Sequence, residues 1–349
     1  MMATAALTSR SVETRTGPLP RGADWEGLVA ADRPVLFKGA AADWPLVRAG
    51  LSSADEAAAM LVAGWSGQPV VVYRGEPEIE GRFTYNREVD GFNFTASREP
   101  LDAVLREILA LRSHPSAPSI YVGSTDLGIY FPGLGEAIGL DLSAVHPMLI
   151  EHPGLASVWL GNRTTATCHY DDTPNIAVCA VGRRRFTLFP PDQAANLYPG
   201  PLDPTPGGQV VSMVDFAAPD FERHPRFARA LDAAQVAEME PGDVLTYPAL
   251  WWHHVEALAD FNVLANFWWN TVPGYVDSPQ VTLLHALLAL RDRPAGEKAA
   301  WRELFDYYVF GDPDVPRAHL PEGAQGALAP LDDASARRLR ALVTKKLQR

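Results

Sequence analysis

The amino-acid sequence predicts a mainly β protein with a jelly-roll core, preceded by mixed α/β additions and followed by a helical segment. Three observations support this fold class. From about Ser119 to Thr271, short β-rich runs are separated by glycine, proline and aspartate turns, which is typical of jelly rolls. The flanking segments instead carry apolar residues at helical spacing. The 349 residues are 47% hydrophobic and 21% charged, as expected of a packed globular chain.

The N-terminal part combines strand and helix signals. Residues 1–22 lack an apolar run of signal-peptide length, and we expect them to form a flexible leader. Ser53, with Glu56 three residues later, forms a capping-box pattern at the start of a helix. Pro100 is a suitable first residue for another helix. The elements expected here are strands at 34–37 and 70–73 and helices over 53–64 and 100–111.

The predicted core consists of six β-rich runs. They lie at 119–123, 157–161, 175–181, 185–189, 243–247 and 262–269. Between the fourth and fifth runs, the segment from about Pro190 to Glu240 contains the sequence PGPLDPTPGG. Clusters of proline and glycine mark turns and irregular chain, so we expect a loop-rich insert at this point.

The pattern becomes helical again after Thr271. Ser278 and Pro279 form an N-cap and first-turn pair before a leucine-rich run. Further helices are expected over 297–309 and 333–347, the last with acids at its start and lysines at its end, as the helix dipole favours. The predicted organisation is a leader (1–22), a central domain (23–275) and a C-terminal helical segment (276–349).

Composition limits the class of protein. The net charge of −12 disfavours nucleic acid as a partner, because duplex-binding proteins usually carry a basic surface. No stretch of about 18 or more apolar residues indicates a membrane span. Cys168 and Cys179 are the only two cysteines, and we expect small core residues in a reducing, cytoplasmic compartment rather than a disulfide framework.

A candidate metal site lies in the sequence CHYDD at 168–172. On a strand, His169 and Asp171 point to the same face, so that both can reach one ion. His253 or His254, in the segment PGDVLTYPALWWHHV, can supply a third ligand. Two histidines and a carboxylate form the facial triad of non-haem iron oxygenases, although catalytic zinc also uses such a set. Each histidine alone is equally consistent with a structural role.

Three segments resemble the cupin-like JmjC hydroxylases. Within that family, the resemblance is strongest to the asparaginyl hydroxylases of the type that acts on hypoxia-inducible factor. The three segments are HYDDTPNIAVCAVGRRRFTLFPP from 169, PGDVLTYPALWWHHV from 241 and NVLANFWW from 262. The resemblance spans about 119–271, with weaker support from Trp44-Pro45. It implies a double-stranded β-helix with Fe(II), 2-oxoglutarate and O2, which makes 23–275 a catalytic domain.

The resemblance also implies site residues. It assigns the metal to His169, Asp171 and His253, since the first histidine of WWHH is the family ligand. Where the family has a lysine that holds the distal carboxylate of 2-oxoglutarate, this chain has Arg184, which can bind a carboxylate through two parallel hydrogen bonds. The other implied cosubstrate-pocket residues are Tyr121, Asn175, Asn266 and Trp268. Ala166 replaces a cosubstrate-binding threonine, so Thr165 or Thr167 is expected in that role.

The function expected from this resemblance is hydroxylation of a C–H bond in a protein or peptide side chain, with succinate and CO2 as coproducts. Alternatives are a small-molecule or tRNA-base hydroxylase, and a non-enzymatic metal-binding cupin that acts as a sensor or interaction module. The apolar residues of the C-terminal helices, such as Leu283, Leu287 and Trp301, can pack on the β core or form a dimer interface, and we expect a homodimer.

Overall fold

The structure is a computed structural model that describes residues 10–114, 116–135, 137–151 and 153–348. The chain divides into two compact units, the first ending at Thr271 and the second beginning at Val272. The first unit contains all the strands among the described residues, and the second is helical.

Within the described residues, fifteen strands form two sheets in the first unit. The strands are β1 (Arg10–Ser11), β2 (Glu13–Thr16), β3 (Val35–Lys38), β4 (Val70–Gly75), β5 (Arg82–Phe83), β6 (Thr95–Glu99), β7 (Ser119–Asp126), β8 (Pro153–Gly161), β9 (Thr165–His169), β10 (Asn175–Val181), β11 (Arg184–Phe189), β12 (Gln235–Met239), β13 (Val244–Tyr247), β14 (Trp252–Ala257) and β15 (Asn262–Trp269). The small sheet has the order β1-β12-β11-β14-β9-β5, and the large sheet has the order β2-β3-β13-β10-β15-β8-β7-β4-β6. Most neighbouring strands are antiparallel.

The two sheets enclose an apolar core. Phe186, Leu188 and Val255 come from the inner face of the small sheet, and Leu245 and Leu264 from the large sheet. The alternation of strand side chains places these residues between the sheets and their neighbours on the outer faces. The predicted jelly-roll core with flanking additions is therefore confirmed.

Most helices of the first unit cover the outer face of the large sheet, whereas the last one packs beside the small sheet. The helices of the first unit are α1 (Ala23–Ala30), α2 (Pro45–Ser52), α3 (Ala54–Gly64), α4 (Leu101–Ala110), α5 (Leu127–Tyr130), α6 (Leu142–Val145), α7 (Met148–Glu151) and α8 (Phe227–Ala233). Leu61, Leu101 and Ile108 are fully buried against the large sheet, and each contributes about 1.5–3 kcal/mol to stability. Ser53 accepts a hydrogen bond from the backbone N–H of Glu56, which is the N-cap predicted for α3.

One expectation for the first unit is wrong. Residues 10–16 do not form a flexible leader, because Val12 is buried between the sheets and its polar neighbours form β1 and β2; residues 1–9 lie outside the described residues. The insert over 190–240 is largely irregular, as predicted, and it also contains α8 and β12. The run QVAEM has weak strand propensity, and its pairing with β11 determines its conformation.

The second unit consists of three helices, α9 (Pro279–Leu290), α10 (Ala295–Phe305) and α11 (Asp333–Leu347). Ser278 caps α9, and Asp332 forms a capping box with Ser335 at the start of α11. Arg340 of α11 forms an ion pair of 2.7 Å with Asp277. Neither α9 nor α10 contains a buried residue, although both are rich in leucine and aromatic side chains. No helix among the described residues is both long and apolar enough to cross a bilayer.

Candidate metal and cosubstrate site

The structure brings His169, Asp171 and His253 together on the inner face of the small sheet. His169 ends β9, and its antiparallel partner in β14 is His253, so the two imidazole rings lie 4.2 Å apart between centroids. Oδ2 of Asp171 lies 3.6 Å from Nε2 of His253, and Oδ1 lies 4.0 Å from Nε2 of His169. One candidate ligand atom from each residue lies within 4.8 Å of the others. This spacing suits three ligands of one ion.

Both imidazoles are held so that Nε2 faces the ion position. Nδ1 of His169 lies 2.8 Å from the carbonyl oxygen of Thr167, and Nδ1 of His253 lies 3.0 Å from that of Trp251. An Nδ1–H that donates to a carbonyl leaves the lone pair on Nε2 free for a metal. Burial and the neighbouring His169 lower the pKa of His253 to about 4, which keeps this ring neutral at pH 7. Neutral imidazole is the form that binds a metal.

Two side chains orient the carboxylate of Asp171. Its Oδ2 accepts hydrogen bonds of 2.9 Å from Nδ2 of Asn175 and 3.1 Å from Nε1 of Trp268. Asn266 in turn donates a 2.8 Å hydrogen bond to Oδ1 of Asn175. These residues come from β10 and β15, which are adjacent in the large sheet. The large sheet therefore fixes the position of Asp171, whereas the other two candidate ligands, His169 and His253, lie on the small sheet.

His254 points away from the triad. It follows His253 in β14, and consecutive strand residues face opposite sides of the sheet. Its ring stacks on Phe216, with centroids 4.4 Å apart, on the outer face. Among the described residues, only His253 of this pair approaches His169 and Asp171 as a candidate ligand.

Arg184 lies on the inner face of the small sheet at the start of β11 and is 3% exposed. Its Nε and Nη2 atoms are buried and have no hydrogen-bond partner among the described residues. Burial lowers the pKa of this guanidinium, because the charged form is poorly solvated. A buried cation without a partner is unfavourable, so the arrangement suits an anionic ligand such as a carboxylate.

The two candidate threonines lie on different faces of the small sheet. Thr167 lines the cavity that contains His169, and its hydroxyl donates a 2.8 Å hydrogen bond to the carbonyl oxygen of Phe83. Thr165 lines a separate cavity on the outer face. The structure therefore does not bring Thr165 to the site, because it lies outward on β9.

The cavity beside His169 has a volume of about 130 Å3 and largely aromatic walls. Tyr121 lines it and stacks on Trp159, with ring centroids 5.9 Å apart. Burial raises the pKa of the Tyr121 hydroxyl, which therefore stays protonated and can donate a hydrogen bond. Tyr73 and Phe94 complete the aromatic wall.

Gln209 also lines this cavity and was not predicted from the sequence. Its side-chain oxygen is buried and has no hydrogen-bond partner among the described residues. The residue follows Gly207 and Gly208 in the irregular insert, where no periodicity indicates which side chains face the site. Tyr73 in β4 and Phe94, which directly precedes β6, were missed as well, because both lie before the region that carries the motifs and belong to no motif of their own.

Comparison with known proteins gives one family match. The family model described as a cupin-like domain matches residues 22–275. This range includes every residue described above for the candidate site. The expected resemblance to cupin-like hydroxylases is thus confirmed at the level of the family.

Several curated proteins match shorter stretches. The HSPB1-associated protein 1 homolog of Danio rerio is 36% identical over 115 residues, which is 32% of this chain and 25% of that protein. The lysine-specific demethylase JMJ31 of Arabidopsis thaliana is 27% identical over 140 residues, covering 38% of this chain and 25% of that one. The tRNA wybutosine-synthesizing protein 5 of Gallus gallus is 26% identical over 196 residues, covering 52% and 57%. The matched stretch thus covers about a quarter of the length of the first two relatives and just over half of the third.

Among solved structures, the X-ray structure of ycfD from E. coli has 16% sequence identity and a TM-score of 0.39. The match covers 91% of this chain and 65% of that chain. A TM-score of this size supports no conclusion about fold or function.

Proposed function

The chain belongs to the cupin-like domain family, and from this premise we propose that it is an Fe(II)- and 2-oxoglutarate-dependent oxygenase that hydroxylates a protein or peptide side chain. The observation that carries this proposal is Arg184, a buried guanidinium with unpartnered nitrogen atoms on the sheet face that also bears the metal triad. A protein that only binds a metal has no need of this cation. A cosubstrate with a distal carboxylate gives it a partner.

The triad favours iron. His169, Asp171 and His253 supply two neutral nitrogens and one carboxylate, and no other His, Cys, Asp or Glu among the described residues joins the group. Three ligands on one side of an ion leave its other side accessible to cosubstrate and oxygen, as in non-haem iron oxygenases. When bound, Fe(II) with O2 and 2-oxoglutarate would supply the oxidising chemistry, with succinate and CO2 as coproducts.

The protein's own contribution is to bind and orient. Arg184 would hold the distal carboxylate of 2-oxoglutarate through two parallel hydrogen bonds, with the neighbouring Tyr121 as a further hydroxyl donor. Thr167 lines the cavity beside His169, and its hydroxyl already donates to the carbonyl oxygen of Phe83. Asn175 and Trp268 fix the carboxylate of Asp171. We propose in addition that Asn175, Asn266 and Trp268 line the cosubstrate pocket, because their hydrogen bonds place them beside the carboxylate of Asp171.

Gln209 is a candidate contact for the substrate. Its unpartnered amide oxygen faces the cavity that holds His169, and an amide is a suitable partner for the backbone or side chain of a peptide. Two of the relatives carry names that refer to proteins, as an HSPB1-associated protein and as a lysine-specific demethylase. These observations support a protein or peptide substrate.

Hydroxylation of a tRNA base is a second candidate. It is favoured by the match to tRNA wybutosine-synthesizing protein 5, which extends over 52% of this chain. The net charge of −12 weighs against it, because RNA binding usually needs a basic surface. Incubation with unmodified tRNA and with a peptide library, followed by a search for products heavier by one oxygen atom, separates the two.

The proposed reaction is tested by measuring succinate. Purified protein is mixed with Fe(II), ascorbate and 2-oxoglutarate in air, with each candidate substrate in turn. We expect succinate from the wild type above the level given by His169→Ala, which removes a metal ligand. If the two proteins give equal succinate with every candidate, the enzymatic proposal is overturned and the non-enzymatic cupin is favoured.

We also propose a cytoplasmic homodimer. The second unit exposes large apolar side chains, among them Val281, Leu284 and Leu288, which is 82% exposed. Exposed apolar faces of this kind are typical of interaction surfaces. Sedimentation at micromolar concentration tests the proposed dimer, since a single species at monomer mass contradicts it.

The cysteines bear on the proposed compartment. Cys168 and Cys179 are both buried and free, as suits a reducing compartment.

A further inference from the structure

A second cavity, of about 820 Å3, lies on the outer face of the small sheet. Its floor carries alternate residues of two adjacent strands, Arg185 and Thr187 from β11 and His254 and Glu256 from β14. The metal site lies on the inner face of the same strands, so the sheet separates the two. The volume is within the range of roughly 300–1,000 Å3 that ligand pockets occupy.

His254 indicates that the cavity is built to receive a ligand. Its side chain lines the cavity and the residue is only 6% exposed. Its Nδ1 atom is buried and has no hydrogen-bond partner among the described residues. Buried polar groups in proteins nearly always have a partner, so this atom offers a hydrogen-bonding position to a ligand or a water molecule. Stacking on Phe216 holds the ring in place.

The charges around this cavity leave an excess of carboxylates. Arg82 is paired with Asp215 at 3.0 Å, and Arg185 is hydrogen-bonded to Glu238 at 2.8 Å. Glu256 on the floor has only a distant contact of 3.8 Å with Arg185.

Two further carboxylates, Glu78 and Glu80, line the rim and make no ion pair among the described residues. Arg87, also at the rim, is exposed to solvent. With Arg87 included, the cavity lining has five carboxylates and three guanidinium groups, and this excess of negative charge favours a ligand with positive charge.

The cavity also offers neutral hydrogen-bonding groups and apolar surface. The hydroxyls of Thr84, Thr165 and Thr187 make no hydrogen bond with other described residues, and each can donate and accept. Phe216 and Leu231 provide an apolar wall. A simple polyamine has no carbonyl group to accept from these hydroxyls. A peptide has both carbonyl and N–H groups, with cationic and apolar side chains in addition.

We propose that this cavity on the outer face of the small sheet binds a basic peptide segment, with lysine or arginine side chains directed to Glu80 and Glu256. Neighbouring apolar side chains pack on Phe216, and the peptide backbone bonds to the threonine hydroxyls and His254. The site is separate from the metal centre and does not depend on the proposed oxygenase activity.

The test is peptide binding by the full chain, measured by fluorescence anisotropy without metal or cosubstrate. The probe is a fluorescein-labelled peptide of alternating leucine and lysine, and the matched control peptide has glutamate in place of lysine. We expect saturable binding of the lysine peptide that weakens as salt is added, because screening reduces the attraction between charges. We expect no saturable binding of the glutamate peptide.

Variants locate the binding. Glu78 and Glu80 are exposed, so the double exchange Glu78→Gln/Glu80→Gln does not threaten folding. We expect it to weaken binding of the lysine peptide at least about fivefold, and Glu256→Gln to do so independently. Glu88→Gln makes the same change of charge on the same segment, at an exposed residue that does not line the cavity. We expect binding by this control within about twofold of the wild type.

Three results would overturn the proposal. The first is absence of saturable binding by the wild type. The second is equal affinity of the wild type and the Glu78→Gln/Glu80→Gln variant, which would place the peptide elsewhere. The third is full competition by spermidine at the concentration of the peptide, which would indicate a small cation as ligand. A wild-type crystal structure with the lysine peptide on β11 and β14 would confirm the site directly.

Discussion

The side-chain amide of Asn175 donates a hydrogen bond of 2.9 Å to Oδ2 of Asp171, the carboxylate that faces both histidines of the triad. Asn175 lies on the large sheet, whereas His169 and His253 lie on the small one. The candidate metal site is therefore assembled between the two sheets of the jelly roll. Its geometry depends on polar contacts behind the ligands as well as on the ligands themselves.

Replacing Asn175 by alanine is expected to weaken metal binding. The change removes one of two hydrogen bonds that orient Asp171, and loss of such a partner usually costs roughly 10–100-fold in metal affinity. Titration with Mn(II), followed by calorimetry, gives the dissociation constant. Asn196→Ala is the matched control, since this amide contacts only Gln193 in the insert. Equal Mn(II) affinity of Asn175→Ala and the wild type would show that Asp171 needs no such support.

The two adjacent histidines of β14 are expected to differ in their effect on the metal. His253→Ala removes a candidate ligand from the group with His169 and Asp171, so Mn(II) binding is expected to fall by at least 100-fold. His254→Ala changes a ring on the opposite face, stacked on Phe216, and metal affinity is expected to stay within about threefold of the wild type. The reverse order of effects would show that His254 is the ligand.

The stability of the first unit is expected to depend on pH through Glu99. Arg74 donates hydrogen bonds of 2.9 and 2.8 Å to Glu99 and lowers the pKa of this carboxyl to about 2. A carboxyl with a lowered pKa in the folded state stabilises the fold above its unfolded pKa, and this contribution is lost as pH falls through the folded value.

Glu99→Gln is therefore expected to lower the melting temperature at pH 7. The difference from the wild type should shrink as the pH falls from about 4.5 towards 2. Calorimetric scans at several pH values measure it, with the exposed Glu222→Gln as a control for loss of one charge. A difference that is constant over this pH range would show that the ion pair with Arg74 does not stabilise the fold.

The sequence predicted those parts of the protein that follow from local pattern. The strand period of two predicted that His169 and Asp171 lie on one side, and their ligand atoms do lie together, although β9 ends at His169. The Ser53–Glu56 spacing predicted the cap that begins α3. The same alternation showed that only one residue of the pair at 253–254 can face an ion. The choice between the two came from the family resemblance, and the structure agrees with it.

Features that depend on distant pairing could not be predicted. β12 has weak strand propensity and forms because β11 lies beside it, and Val12 is buried through pairing of β1 with β12. Gln209 and one wall of the outer cavity come from an insert with no periodicity. Thr165 and Thr167 could not be separated by sequence, because an irregularity in the pairing of β9 and β14 decides which one faces the site.

Binding of 2-oxoglutarate by the Arg184 variant tests the central claim most directly. In the presence of Mn(II), a saturating cosubstrate is expected to raise the melting temperature of the wild type, since at 100 times its dissociation constant a ligand adds about 2.7 kcal/mol. Arg184→Gln removes the buried guanidinium and should abolish this shift while Mn(II) still binds. Arg183→Gln, at the exposed neighbouring residue, should keep it. The account is contradicted if 2-oxoglutarate stabilises Arg184→Gln as much as the wild type, or stabilises neither.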